Sequence, residues 1–447
     1  MNRRDLMLTV GALGLTGLSA SPARAAASDA EAARDAWFYA LPLIEMATTR
    51  ARLLKTPGAA INKLTHTRNL SDHTARWVTT PNNDTLYSTA FLDLSAGPAT
   101  LTIAPTGQRY WSAAIMDMFT NNNAVLGLRT VGGEGGTFTL VGPGQALKGP
   151  NPVRIATPHA WLLVRTLVAN ADDLPAARKA QDGFVLTGPK PAAPVPTFAT
   201  RSAAPADYFD SARRLLAANP GPATDQRLLR RTSAFLGAGP FDAASAEAGA
   251  KQAQLITQFA KGRQTFTQGW SYPRPNLGDY GQDYIYRAIV ALMGLGALPV
   301  AEAMYTKAAG DDGAGLFNGD GLYRFSLPAQ LPLDGFWSLS MYEATPDGQF
   351  FFTDNSINRY AIGDRTPGLK RNADGSLDLW IGRTDPGGER SANWLPAPKS
   401  GPFALYLRTY LPRAELLDGR FRFKPVEKVV WGTLSLPEEG SRSLAGD

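Results

Sequence analysis

The 447 residues include no cysteine. That absence removes disulfides, thiolate nucleophiles, iron–sulfur clusters and cysteine-ligated zinc, so stability has to come from burial. A chain of this length can bury enough surface for that. Imidazole is scarce as well, supplied only by His66, His73 and His159. No two of them stand in a His-x-His or His-Glu-x-x-His pattern, so a histidine-built zinc centre is not expected. The chain also lacks a Gly-x-Ser-x-Gly elbow and any glycine-rich loop that follows a strand and opens a helix. Neither a nucleophilic triad nor a nucleotide site has support, and no motif names a cofactor. Basic runs are missing too: 45 Lys and Arg stand against 39 Asp and Glu, interspersed, for a net charge of +6. Nucleic acid is therefore not an expected partner.

What is present begins with an address. Asn2-Arg3-Arg4-Asp5 precedes the apolar run Leu6 to Leu18, and Ala23-Arg24-Ala25 offers small residues for cleavage before Ala26. This reads as a signal peptide over residues 1–25, with a periplasmic or secreted product. The arginine pair suggests the twin-arginine route, ordinary secretory export being the alternative. Removing Arg3, Arg4, Arg24 and Asp5, which together carry +2, leaves +4. No later apolar stretch approaches the about 20 residues that cross a bilayer. The sequence leaves open whether the chain forms a homo-oligomer.

Three segments follow. Residues 26–187 open with a capping box at Ser28 to Glu31 and a helix that Pro42 should kink or end. From Thr85 the apolar period becomes two, with Leu86, Ser88, Ala90, Leu92 and Leu94 on one face and further strands at 99–104 and 109–118. Residues 188–310 start as a proline-rich connector and continue as helices at 207–218, 225–236, 243–260 and 278–295. On the last of these, Tyr280, Tyr284 and Arg287 share a face, suited to packing between domains. Residues 311–447 return to short strands, with Asn372 to Gly375 as a hairpin turn. No repeat of fixed period is visible. The expected fold is α+β, mainly β: two β-sandwich or jelly-roll-like domains joined by a helical segment.

Polar and aromatic residues crowd at the strand ends. Asp84 sits between Asn82, Asn83 and Tyr87, where it can act as acid, base or metal ligand, or simply close an Asx-turn. Glu343 ends an alternating strand on the face of Trp337, Leu339 and Met341. It is either a second acid or the partner of a buried arginine such as Arg359 or Arg408. Arg109 and Arg359 are candidate anion binders, and Tyr87 and Tyr342 candidate orienting phenols. Two carboxylates about 5 to 10 Å apart would suit glycoside cleavage. Asp311-Asp312-Gly313 with Asn318 to Gly321 is rich in oxygen ligands for calcium but lacks the EF-hand spacing, and reads better as a turn.

Several motifs in this order resemble a known bacterial pairing. Leu41-Pro42-Leu43, Pro81-Asn82-Asn83-Asp84-Thr85-Leu86-Tyr87, Asp93-Leu94 and Arg109-Tyr110 resemble the domain of unknown function 1254. Phe336-Trp337-Ser338, Met341-Tyr342, Asn358-Arg359-Tyr360, Asp374-Gly375-Ser376, Asn393-Trp394-Leu395-Pro396-Ala397-Pro398 and Asp418-Gly419 look like domain of unknown function 1214. The resemblance implies two sandwich-like domains joined through helices, and implies little about activity. The residues themselves suggest an exported hydrolase or lyase acting on a small or glycan-like substrate in an inter-domain polar cleft. The alternative is a non-catalytic periplasmic binding or assembly protein.

Overall fold

The computed structural model describes residues 22–262 and 264–429. The expected leader lies outside the described residues as far as position 21. Helix α1 (Pro22–Leu53) runs through Ser28, so the Ser28 capping box does not open a helix here. Nor does Pro42 end it. Leu41, Leu43 and Ile44 are fully buried, and burying three large side chains, each about 2 kcal/mol, outweighs the roughly 3 kcal/mol lost at a helical proline.

The first β region holds β1 (Thr65–His66), β2 (Thr85–Asp93), β3 (Ala99–Ile103), β4 (Trp111–Asp117), β5 (Asn122–Gly127), β6 (Gly136–Val141), β7 (Pro152–Arg154), β8 (His159–Leu167) and β9 (Phe184–Thr187). Short helices α2 (Leu128–Val131) and α3 (Leu174–Asp182) interrupt it. A larger sheet runs β1-β2-β8-β4-β5 and a smaller one β7-β6-β3-β9. Alternation along the strands sends Leu92, Trp111, Ile115 and Leu162 from the larger sheet, and Leu101, Leu140 and Phe184 from the smaller, into one shared core.

A helical layer follows, with α4 (Pro205–Ala218), α5 (Gln226–Arg231), α6 (Ser233–Leu236) and α7 (Ala243–Gly262). The helix expected over 225–236 is broken at Thr232, whose hydroxyl bonds the Leu228 carbonyl. The second β region starts earlier than residue 311. It comprises β10 (Trp270–Ser271), helix α8 (Tyr284–Met293), β11 (Ala303–Ala308), β12 (Tyr323–Leu327), β13 (Trp337–Ala344), β14 (Phe350–Phe351), β15 (Ala361–Gly363), β16 (Leu377–Gly382), β17 (Trp394–Pro396), β18 (Phe403–Tyr410), α9 (Ala414–Leu417) and β19 (Glu427–Lys428). Its larger sheet runs β10-β11-β18-β13-β14, with β15 also on β13, and its smaller one β17-β16-β12-β19. Leu339, Met341, Leu405 and Leu407 meet Phe325, Leu379 and Leu395 in the second core.

These two regions are one topology used twice. Replacing β1 by β10, β2 by β11, β3 by β12, β4 by β13, β5 by β15, β6 by β16, β7 by β17, β8 by β18 and β9 by β19 converts one set of sheet orders into the other, leaving β14 as an insertion. The match extends to parallel pairs, β6 with β7 and β16 with β17, in otherwise antiparallel sheets. Detail repeats as well. Ser112 pairs with Gly127 and Ser338 with Gly363. In both places the glycine N–H donates to the hydroxyl of the threonine three residues on, Thr130 or Thr366, at 2.9 Å.

The third core joins the halves. Trp37, Phe38, Tyr39 and Ile44 of α1 pack with Tyr208 and Phe209 of α4 on the outward side of the first larger sheet, where Phe91, Met116, Trp161 and Leu163 emerge, and Phe336 and Tyr410 of the second region reach the same core. Arg287 on α8 is buried here, its guanidinium 5.1 Å from the Tyr39 and Phe119 rings and 5.2 Å from Tyr284. Tyr280 precedes the helix, which starts only at Tyr284 because Asp283 caps it by accepting from the Tyr286 N–H.

The candidate site at the seam of the two repeats

The outward faces of the two larger sheets meet along a polar seam. In the first repeat Tyr87, Arg165 and Ser112 lie side by side across β2, β8 and β4. In the second, Tyr305, Arg408 and Ser338 lie side by side across β11, β18 and β13. Equivalent strands thus present the same Tyr-Arg-Ser row from both sides. Groups of each row reach across to residues just ahead of β2 or β11 in the other repeat, an exchange like that of a two-fold dimer.

Asp84, just ahead of β2, is 3% exposed. Ser338 Oγ of the other repeat donates to its Oδ2 at 2.6 Å, and Arg365 Nη2 to its Oδ1 at 3.0 Å. Glu302, just ahead of β11, is fully buried. The Tyr110 hydroxyl of the first repeat donates to its Oε1 at 3.0 Å, and Arg129 Nε to its Oε2 at 2.7 Å. Arg129 and Arg365 occupy the same place in the repeated segments Gly127-Leu128-Arg129-Thr130 and Gly363-Asp364-Arg365-Thr366. Burial pushes the Glu302 carboxyl up, against the downward pull of Arg129.

Main-chain contacts cross in the same way. Arg165 Nη2 donates to the Gly296 carbonyl at 2.7 Å. Arg408 Nη2 donates to the carbonyls of Thr80 and Pro81 at 3.1 and 3.3 Å and to the Tyr342 hydroxyl at 2.7 Å, while its Nη1 donates to Ser340 Oγ at 2.7 Å. The Tyr342 hydroxyl donates in turn to Pro81 O at 2.6 Å. Asn82 closes its own turn by accepting from the Asp84 N–H at 2.6 Å and donates across the seam to the Tyr410 hydroxyl at 2.8 Å.

Among the residues singled out in the sequence, Asn82, Asp84, Tyr87, Tyr342 and Arg408 come together at this seam. The others are spent elsewhere. Glu343 pairs with Arg76 at 2.6 Å, rather than with Arg359 or Arg408. Five residues of β13 separate it from Ser338, roughly 16 Å of strand, so Asp84 and Glu343 do not form an acid pair across one cleft. Asn83 donates to the Ser71 carbonyl. Arg359 donates to the carbonyls of Ala392 and Trp394. Asp311 accepts from the Asn318 N–H, and Asp312 from the N–H groups of Ala314 and Leu316, the pattern of a turn. His66 does come within 2.7 Å of Ser88 Oγ, and Ser88 is fully buried.

Arg109 makes a two-pronged pair with Asp173, 2.6 Å on each prong, and donates to the Leu167 carbonyl at 2.7 Å. Its hydrogen bonds hold the Asp173 carboxyl below the usual carboxylate range. A depressed pKa adds stability above the unfolded value near 3.8 and loses it as pH falls through the lower folded value. Arg109→Gln should therefore cost about 1–2 kcal/mol at pH 6. That difference from the parent, followed by urea titration, should shrink toward zero by about pH 2; a constant difference would contradict it.

Arg165, Arg129, Arg365 and Glu302 carry no signal by themselves in the sequence, and Ser338 appears there only within a family motif. A signal for them existed in the repeats: Trp111-Ser112 with Trp337-Ser338, the two Gly-x-Arg-Thr segments, Arg165-Thr166 with Arg408-Thr409, and a proline three residues before each acid, Pro81 and Pro299. Variable insertions between them hide any fixed period.

The architecture defines a mixed α+β protein of two antiparallel-sheet regions with helices between them. The chain carries two protein-of-unknown-function families in tandem, DUF1254 over residues 61–188 and DUF1214 over 302–414. A search of curated proteins finds no match. Among solved structures, the VPA0106 protein from Vibrio parahaemolyticus is similar at TM-score 0.70 and 22% identity, covering 90% of this chain and 100% of that one, which shows a shared fold. An uncharacterized protein from Burkholderia cenocepacia aligns at TM-score 0.47 and 14% identity, over 88% of this chain and 87% of that one.

Proposed function

We propose that this chain is an exported binding protein whose two repeats, each a β-sandwich, hold a small polar molecule at their seam. The supporting observation is the composition of that seam: the two repeats face each other with Arg165, Arg408, Asp84, Glu302 and several phenols. Apolar residues of equal volume would join two domains at least as firmly, because ion pairs lose much of their attraction to desolvation. Polar groups at such a joint are therefore better explained by a ligand than by adhesion. Export rests on the arginine pair and apolar run of residues 1–25.

The hydrolase or lyase reading has less support. Both oxygens of Asp84 already accept hydrogen bonds, from Arg365 and Ser338, and Glu343 is engaged by Arg76 at the far end of β13. Neither acid stands free as a general base. Hydrogen exchange on the full chain, with and without a panel of small acids, phosphates and oligosaccharides, tests the binding reading. Slower exchange in β13 and residues 80–84 with one panel member supports it. Unchanged exchange throughout the panel overturns it, and chemical conversion of the bound compound would favour the enzyme.

A further inference from the structure

Because the fold is used twice, one repeat serves as an internal control for the other. The equivalence of Trp111-Ser112 with Trp337-Ser338 places Ala114 opposite Ser340 and Met116 opposite Tyr342 in the comparison. In the second repeat, Ser340 and Tyr342 are the side chains that take up hydrogens of Arg408. In the first, a methyl and a thioether occupy those places and offer Arg165 no comparable oxygen. The consequence is visible: Arg165 keeps its bond to Gly296, but its Nη1 is buried with no hydrogen-bond partner among the described residues, and the residue is only 5% exposed.

Charge points the same way. Asp84 and Glu302 are committed to Arg365 and Arg129, while no carboxylate lies within 4.0 Å of Arg165 or Arg408 among the described residues. A guanidinium does not shed its proton, so the seam holds two buried cations in excess. Glu302 is near enough to feel Arg165, yet both its oxygens are taken. An isolated buried charge is costly unless something compensates it.

Two further donors stand beside Arg165. The Tyr87 ring lies 5.5 Å from its guanidinium. Tyr305 lies beside Arg408 across β11 and β18; burial pushes its phenol up, while the charge of Arg165, and less that of Arg408, pulls it down. Tyr87 and Tyr305 are each partly exposed as residues, and among the described residues neither hydroxyl has a hydrogen-bond partner.

We propose that the Arg165 half of the seam is a site for a small oxyanion, carboxylate or phosphate, whose oxygens accept from Arg165 as Ser340 and Tyr342 accept from Arg408. The anion accepts from Arg165 Nη1 and from the Tyr87 and Tyr305 hydroxyls. Charge-assisted hydrogen bonds of this kind are the strong ones, and the guanidinium fork suits two oxygens of one group. This assignment rests on the reading of the seam as a ligand site and names the ligand's chemistry.

Thermal unfolding of the full chain in rising acetate or inorganic phosphate, with chloride keeping ionic strength constant, provides the test. Either anion should raise the midpoint saturably, and the one that does so identifies the headgroup. Arg165→Gln should weaken the response at least tenfold, and Tyr305→Phe several-fold. The double variant Ala114→Ser, Met116→Tyr, which gives Arg165 the partners of Arg408, should abolish the response while remaining folded by circular dichroism. If Arg165→Gln fails to fold, the double variant and Tyr305→Phe decide the matter. No response in the parent, or the same response in all folded variants, overturns the assignment. Slower seam exchange with a neutral oligosaccharide, alongside no anion response, would sink the anion and leave the seam as a binding site.

Discussion

Asp84→Ala is expected to lower the unfolding free energy of the full chain by about 3–5 kcal/mol, read from urea denaturation. The size follows from what remains behind. Arg365 has a side chain only 19% exposed, packed 4.1 Å from the Phe336 ring, and would lose the carboxylate it pairs with, while Ser338 would lose its acceptor. Removing one member of a buried pair strands the other in a poor solvent for charge. The equivalent change in the other half, Arg129→Ala, should cost less, about 1–3 kcal/mol. Arg129 is 38% exposed, and its departure leaves Glu302 still bonded to Tyr110.

That second variant also carries a pH signature. Burial holds the Glu302 carboxyl above its ordinary range even with Arg129 present. A raised folded pKa favours the native state at low pH and loses that advantage as pH rises through the folded value. Without Arg129 the carboxyl should rise further, so the penalty of Arg129→Ala should be small near pH 4 and grow toward pH 8. Equal penalties for the two variants at all pH values would show that the exchanged pairs are not the buried-versus-rim contrast described above.

Gly363→Ala is the second large effect, at about 3 kcal/mol or more. A Cβ there would stand 2.3 Å from the Trp337 carbonyl oxygen and 3.3 Å from Ser338 Cα. Both obstacles are main chain of the neighbouring strand, so β13 and β15 would have to separate. Gly127→Ala meets the same obstruction in the other repeat, 2.7 Å from the Trp111 carbonyl oxygen, and should cost somewhat less because the overlap is smaller. The two sites share a reason: each glycine lets its strand approach the Ser that faces the seam, and Ser338 holds Asp84. Gly363→Ala should therefore also loosen the seam, seen as faster hydrogen exchange at residues 80–84. A loss under about 1 kcal/mol with unchanged exchange would show that the strands yield more easily than this packing implies.

Much of the fold was legible because it depends on local pattern. Alternation located β2, β12 and β18 closely, since a strand with one face in a core must place apolar residues at every second position. The turn at Asn372 to Gly375 was legible for a similar reason: Gly375 has φ of 82°, a conformation that glycine adopts without strain. Less legible were α1, which continues past Pro42, and the helix that breaks at Thr232. In both, contacts from distant elements or a side-chain hydrogen bond outweighed local preference.

The candidate site divides along the same line. Composition by itself determined the absences, because no arrangement of this chain can produce a thiol or a run of basic residues. The sequence also drew attention to Asn82, Asp84, Tyr87 and Tyr342, which meet at the seam, and equally to Asn83, Arg109, Glu343 and Arg359, which do not. Only the tertiary structure decided their partners. Asp84 and Arg365 are 281 positions apart, and Glu302 and Arg129 are 173 apart. Such pairings arise when two copies of one fold turn the same face toward each other, a relation that depends on how sheets pack; the repeated motifs mark the residues but not which of them meet.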